Sequence, residues 1–99
     1  MAPPPAREYA GRMLIELLGL PDERTAALEA VLAEALAQLG LGDAATMRRV
    51  EDLGAMIARG VRQPPALRID GRVVCRRDVP SIAEVRAYLD AARVEAAEA

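Results

Sequence analysis

The first apolar segment of the chain is a short, nearly continuous run from Met13 to Leu18, and Gly19 and Pro21 follow it closely. Periodicity alone cannot assign such a run, because a buried strand and a helical turn look alike over so few residues. The glycine and the proline limit the run to the length of a strand. We therefore place the first strand there.

A long helix is predicted directly after this strand. Asp22 is a good N-cap and Gly40 a good C-cap. Between them, apolar residues recur at the spacing of three or four that places them on one buried helix face. The members of this face are Leu28, Val31, Leu32, Ala35, Leu36 and Leu39.

The middle of the chain predicts a short strand and a second helix. Residues 46–50 fit the strand, and residues 51–59 fit a helix that ends at Gly60. We expect this helix to point Leu53, Met56 and Ile57 inward. Pro64 and Pro65 then exclude any helix, because proline lacks the backbone N–H and restricts the residue before it.

The last third of the chain predicts a hairpin and a closing helix. Leu67 and Ile69 alternate with polar neighbours, Asp70-Gly71 is a favoured two-residue turn, and residues 72–76 supply the return strand. Ser81 and Glu84 have the spacing of a capping box at the start of a helix. Its apolar face consists of Ile82, Val85 and Leu89.

These elements predict one α/β domain with a four-stranded mixed sheet and three helices. A chain of 99 residues is long enough for one compact core. We place the domain at residues 11–93, with flexible tails at residues 1–10, which are rich in proline, and at residues 94–99.

The order of the elements resembles the minimal thioredoxin or glutaredoxin fold. The similarity is closest over residues 50–89, where Pro65, the Asp70-Gly71 hairpin and the Ser81 cap follow one another in a fixed order. This part is similar to the small thioredoxin-like proteins called redox-active disulfide proteins, in which a cis-proline precedes the hairpin. The resemblance implies a β-α-β-α-β-β-α sandwich, with Pro65 as the cis-proline.

The same resemblance locates a departure from that family's chemistry. The family's Cys-x-x-Cys follows a glycine at the end of the first strand and opens the first helix. Gly19 is present, but the two cysteine positions fall on Asp22 and Thr25. Neither residue forms or attacks a disulfide. Pro64, before the expected cis-proline, has no N–H to offer a docked peptide.

The amino-acid composition argues against several other kinds of functional site. The chain has one cysteine, no histidine and a net charge of −2. These counts argue against an internal disulfide, a His/Cys metal site and a catalytic triad, so we expect no cofactor and no metal. Its basic residues are all arginines and are not concentrated in one segment, which argues against a nucleic-acid partner.

Neither a membrane span nor a secretory signal is expected. No stretch is apolar for the length of a spanning helix. Glu16 interrupts the best candidate for a signal sequence, the segment 13–20. We therefore expect a cytoplasmic protein without a membrane partner.

The sequence favours a redox-inactive module that binds another protein. The resemblance implies a binding surface at the helix start and at the proline pair, formed by Leu20, Pro21, Asp22, Thr25, Pro64 and Pro65. Fold alone does not determine function, and the sequence leaves open whether the protein is a monomer or a homodimer.

Two alternative functions stay open. One is an atypical monothiol oxidoreductase that uses Cys75, beside which Arg76 and Arg77 would favour the thiolate. The other is an all-helical DNA-binding or interaction domain, in which residues 13–18 and 51–59 are both helical.

Overall fold

The computed structural model describes residues 13–98, which form four strands and three α-helices. The elements are β1 (Met13–Leu18), α1 (Glu23–Leu39), β2 (Ala45–Val50), α2 (Leu53–Ala58), β3 (Ala66–Ile69), β4 (Arg72–Arg76) and α3 (Ile82–Glu98). A single turn of 3-10 helix at Gly42–Ala44 precedes β2. This order confirms the predicted fold class, and the all-helical alternative is wrong.

The strands form one mixed sheet in the order β2-β1-β3-β4. β1 pairs in parallel with β2 and antiparallel with β3, and β3 pairs antiparallel with β4. The last residues of β1, β2 and β4 therefore lie at the same end of the sheet as the first residue of β3. We call this end, with segments 19–22, 51–52, 64–65 and 77–78, the proline end.

The alternation of side chains along β1 divides the core into two clusters. Met13 and Ile15 face α1 and α3 and join the larger cluster. Leu18 faces α2 and joins the smaller one. The larger cluster also contains Leu32, Ala35, Leu41, Leu67, Ile69, Val85 and Leu89, and the smaller one Val50, Met56, Val61 and Ala66.

Both long helices begin where their predicted caps lie. Asp22 precedes α1, and Gly40 ends it in the left-handed conformation, at φ 66°. At the start of α3, the Ser81 N–H donates to the Glu84 carboxylate at 2.9 Å, and the Glu84 N–H donates to the Ser81 hydroxyl at 3.1 Å. The predicted capping box is therefore confirmed.

Helix α3 continues to Glu98, beyond residue 93, at which the sequence analysis ends the domain. Alanine and glutamate dominate this segment, and both are strong helix formers. The predicted tail at residues 1–10 lies outside the described residues. Among residues 13–98, no helix has the length and apolar character needed to cross a membrane.

Helix α2 departs from its prediction in orientation. Met56 is fully buried as expected, but Leu53 and Ile57 are 53% and 56% exposed, so the prediction that they point inward is wrong. A helix this short buries only a narrow stripe of its surface. Ile57 follows Met56 and lies about 100° further round the helix axis, which places it outside that stripe.

Candidate functional site

The proline end brings the start of α1 next to the proline pair. Leu18 pairs with Ala66 across the antiparallel strands. Gly19 and Pro65 are the next residues beyond this pair, so the chain leaves β1 beside the point at which it enters β3. The predicted site segments therefore come together in space.

Arg24 and Arg77, neither of which is among the predicted binding residues, hold the Pro64–Pro65 segment in place by hydrogen bonds. The Pro64–Pro65 peptide bond is cis, and the Arg77 N–H donates to the Pro65 carbonyl at 2.7 Å. The Arg77 carbonyl in turn accepts a hydrogen bond from the Arg24 guanidinium in the first turn of α1. That guanidinium also lies 3.7 Å from the Asp78 carboxylate. No local pattern predicts this contact, because Arg24 and Arg77 are 53 positions apart.

The predicted binding residues divide into exposed and buried groups. Leu20, Pro21 and Asp22 are exposed, Pro64 is half-buried, and Thr25 and Pro65 are buried. A partner can touch the first group directly. The buried residues shape the surface from below.

The two positions that the resemblance assigns to cysteines hold a helix cap. The Thr25 N–H donates to the Asp22 carboxylate at 2.9 Å. This hydrogen bond is the main reason that the pKa of Asp22 lies below its ordinary value. The Thr25 hydroxyl is buried and has no hydrogen-bond partner among the described residues. Asp22 is therefore the N-cap of α1, and neither side chain carries a thiol.

Position 19 requires a glycine because the Thr25 side chain leaves no room there for a Cβ atom. A Cβ at this position would lie 2.9 Å from the Thr25 Cγ2 and closer still to Oγ1. The Gly19 N–H also donates to the Val50 carbonyl at 3.0 Å, which joins the end of β1 to the end of β2. The predicted glycine therefore has a defined structural role at the proline end.

The model of a family described as thioredoxin domain matches residues 13–90. The chain belongs to the thioredoxin-domain family. The resemblance drawn from the element order is thus confirmed at the level of the fold. A search of curated protein sequences gave no match to the chain.

The single thiol of this thioredoxin domain lies on the edge strand β4. Cys75 pairs with Leu67 and is half-buried. Burial raises the pKa of the Cys75 thiol, and a backbone hydrogen bond from Leu67 only partly opposes this effect. This shift is opposite in direction to the thiolate stabilisation that the monothiol alternative expects from Arg76 and Arg77.

Exposed apolar side chains extend the surface at the proline end of the domain. Leu20 is 38% exposed, and the hydrogen bond between Gly19 and Val50 places it at the same end of the sheet as the start of α2. Leu53 and Ile57, one helical turn apart on α2, are also exposed. The apolar pattern of the sequence predicts core positions for these two residues, so it gives no sign that they lie on the surface.

A buried ion-pair network lies on the α2 side of the sheet. Glu16 is 2% exposed, and its carboxylate accepts from Arg59 Nε at 3.0 Å and from the Arg68 guanidinium. Burial alone would raise the pKa of Glu16, but the hydrogen bonds from Arg68 and Arg59 together outweigh it and hold the pKa below its ordinary value. Glu16 is therefore ionised at neutral pH.

Proposed function

We propose that this thioredoxin domain binds a protein partner at its proline end and does not reduce disulfides. The proposal rests on the start of α1, where the resemblance assigns the redox cysteine positions to Asp22 and to the buried Thr25. Disulfide exchange requires a thiolate, and the raised pKa of Cys75 disfavours one.

Three exposed apolar residues on the segments that follow β1 and β2 support a binding role. Leu20, Leu53 and Ile57 are all large apolar residues at least 38% exposed. Apolar side chains gathered at one place on a surface are typical of interaction sites. Because Pro64 has no N–H, the partner is held mainly through side chains. We further propose that the domain works in the cytoplasm without a cofactor, a nucleic acid or a membrane.

The redox part of the proposal is tested by turnover of a disulfide substrate with dithiothreitol as the electron donor. Wild type and Cys75→Ser should both reduce insulin at the uncatalysed rate, because neither has an activated thiol. Activity in the wild type that disappears in Cys75→Ser would show that the monothiol alternative is correct.

The binding part is tested by affinity capture from an extract of the source cells, with the full chain as bait and quantitative mass spectrometry as readout. Ile57→Glu should reduce recovery of the partner by about tenfold, because it removes apolar burial of roughly 1.4 kcal/mol or more from the interface. The matched control is Val94→Glu on α3, since Val94 and Ile57 are both 56% exposed. Equal losses in the two variants would contradict the proposed surface.

A further inference from the structure

Helix α2 is attached to the sheet by few contacts. It spans only Leu53–Ala58, and Met56 is its one buried side chain. Ala55 adds a half-buried contact to the smaller core cluster. Isolated helices of this length do not persist in water. The position of α2 therefore depends on the groups that link it to the sheet.

Arg59 provides such a link immediately after the helix. Its Nη1 donates to the Ala55 carbonyl at 3.1 Å, and its Nε donates to the Glu16 carboxylate at 3.0 Å. One guanidinium thus joins the middle of α2 to the middle of β1. The acceptor is itself fixed in place, because Glu16 is buried and its second oxygen is held by Arg68.

The segment after Arg59 leads directly to the proline pair. The Val61 N–H donates to the Met56 carbonyl at 2.9 Å, and Val61 is buried in the smaller cluster. Pro64 follows three residues later along the chain. A displacement of α2 would therefore move its exposed apolar side chains and also the segment that leads from Val61 to Pro64.

We propose that Arg59 is a positioning residue for the partner surface. By clamping α2 to Glu16, it fixes the positions of Leu53 and Ile57 relative to the sheet. The consequence for binding rests on the proposed function, whereas the clamp itself is a property of the free domain. Arg68 also pairs with Glu16 but makes no hydrogen bond to α2 among the described residues, so its loss should release the helix less than the loss of Arg59 does.

Amide hydrogen exchange by NMR on the free, full-length chain tests the clamp. In Arg59→Gln, the hydrogen-bonded amides of Met56, Gly60 and Val61 should exchange about tenfold faster than in wild type. The Leu32 amide in α1, which reports on global unfolding, should change much less. Arg59→Lys, which keeps the charge but cannot bridge both acceptors in the same way, should fall between Arg59→Gln and the wild type.

Two control variants isolate the clamp from general effects of charge and stability. Arg62→Gln removes an exposed arginine from the loop after α2, and Arg68→Gln removes the other partner of Glu16. Arg62→Gln should not accelerate exchange in α2 relative to α1, and Arg68→Gln should accelerate it less than Arg59→Gln does. Unchanged α2 exchange in Arg59→Gln, or equal acceleration of α1 and α2, would overturn the proposal.

The same variant separates this inference from the proposed function. If α2 exchanges faster in Arg59→Gln and partner recovery falls, both proposals are supported. If exchange rises but Ile57→Glu leaves partner recovery intact, the clamp stands and the proposed binding surface is wrong.

Discussion

Glu16→Ala should lower the free energy of unfolding by about 3 kcal/mol, near the lower end of the range for breaking a buried ion pair. The substitution leaves the Arg59 and Arg68 guanidinium groups without their carboxylate. Their side chains are 28% and 26% exposed, so water can partly compensate for the loss. Urea denaturation of the wild type and of Glu16→Ala, followed by circular dichroism, measures the difference in the free energy of unfolding.

A surface ion pair provides the control for Glu16. Glu29 on α1 lies 3.7 Å from Arg49, and both side chains are more exposed than that of Glu16. Glu29→Ala should change the free energy of unfolding by less than about 1 kcal/mol. If Glu16→Ala and Glu29→Ala lower the free energy of unfolding equally, the Glu16 network does not behave as a buried one.

The contribution of Glu16 to the free energy of unfolding should also depend on pH. Its pKa is lowered in the folded domain from an ordinary value of 4.5. The stabilisation is therefore complete above that value and is lost as the pH falls through the lower folded pKa. The stability difference between wild type and Glu16→Gln should be constant near neutrality and shrink below about pH 4.5. A difference that grows on acidification would show that the pKa is raised.

Gly19→Ala should lower the free energy of unfolding by about 1–3 kcal/mol, the usual effect of overpacking. The new methyl group would meet both Oγ1 and Cγ2 of Thr25. Thr25 is 1% exposed and β-branched, so its side chain cannot rotate away from the added group. Thermal and urea denaturation measure this loss.

A double-mutant cycle tests the proposed cause of the Gly19→Ala effect. Thr25→Ala removes the two atoms that the methyl group would meet most closely, so the double variant should be more stable than the sum of the single effects predicts. Gly42→Ala is the control, because a Cβ at Gly42 meets nothing within 4 Å. Strictly additive losses at Gly19 and Thr25 would assign the effect to something other than their contact.

The fold was predictable because its signals are local. Asp22, Gly40 and the Ser81–Glu84 box each act within one helical turn, and the Asp70-Gly71 turn sets the hairpin by itself. These short-range preferences agree with the apolar periodicity of the neighbouring segments. The element order and the α/β class follow from that agreement.

The site was predictable only in part, because its remaining contacts join distant residues. Glu16 stands out as a charge within an apolar strand, and a buried charge needs a partner. Nothing local identifies Arg59 and Arg68 among 13 basic residues as its partners. The outward orientation of Leu53 and Ile57 likewise depends on how α2 packs against the sheet.

The strand order has a consequence for the way in which the protein is synthesised. β1 leaves the ribosome before the other three described strands, but it occupies an interior place in the sheet, between β2 and β3. Until residue 69 has emerged, one edge of this largely buried strand has no backbone partner. Unpaired edges of apolar strands are prone to pair with other chains. A nascent chain that stalls between α2 and β3 would therefore present its most aggregation-prone edge, although all of its first helix has already been made.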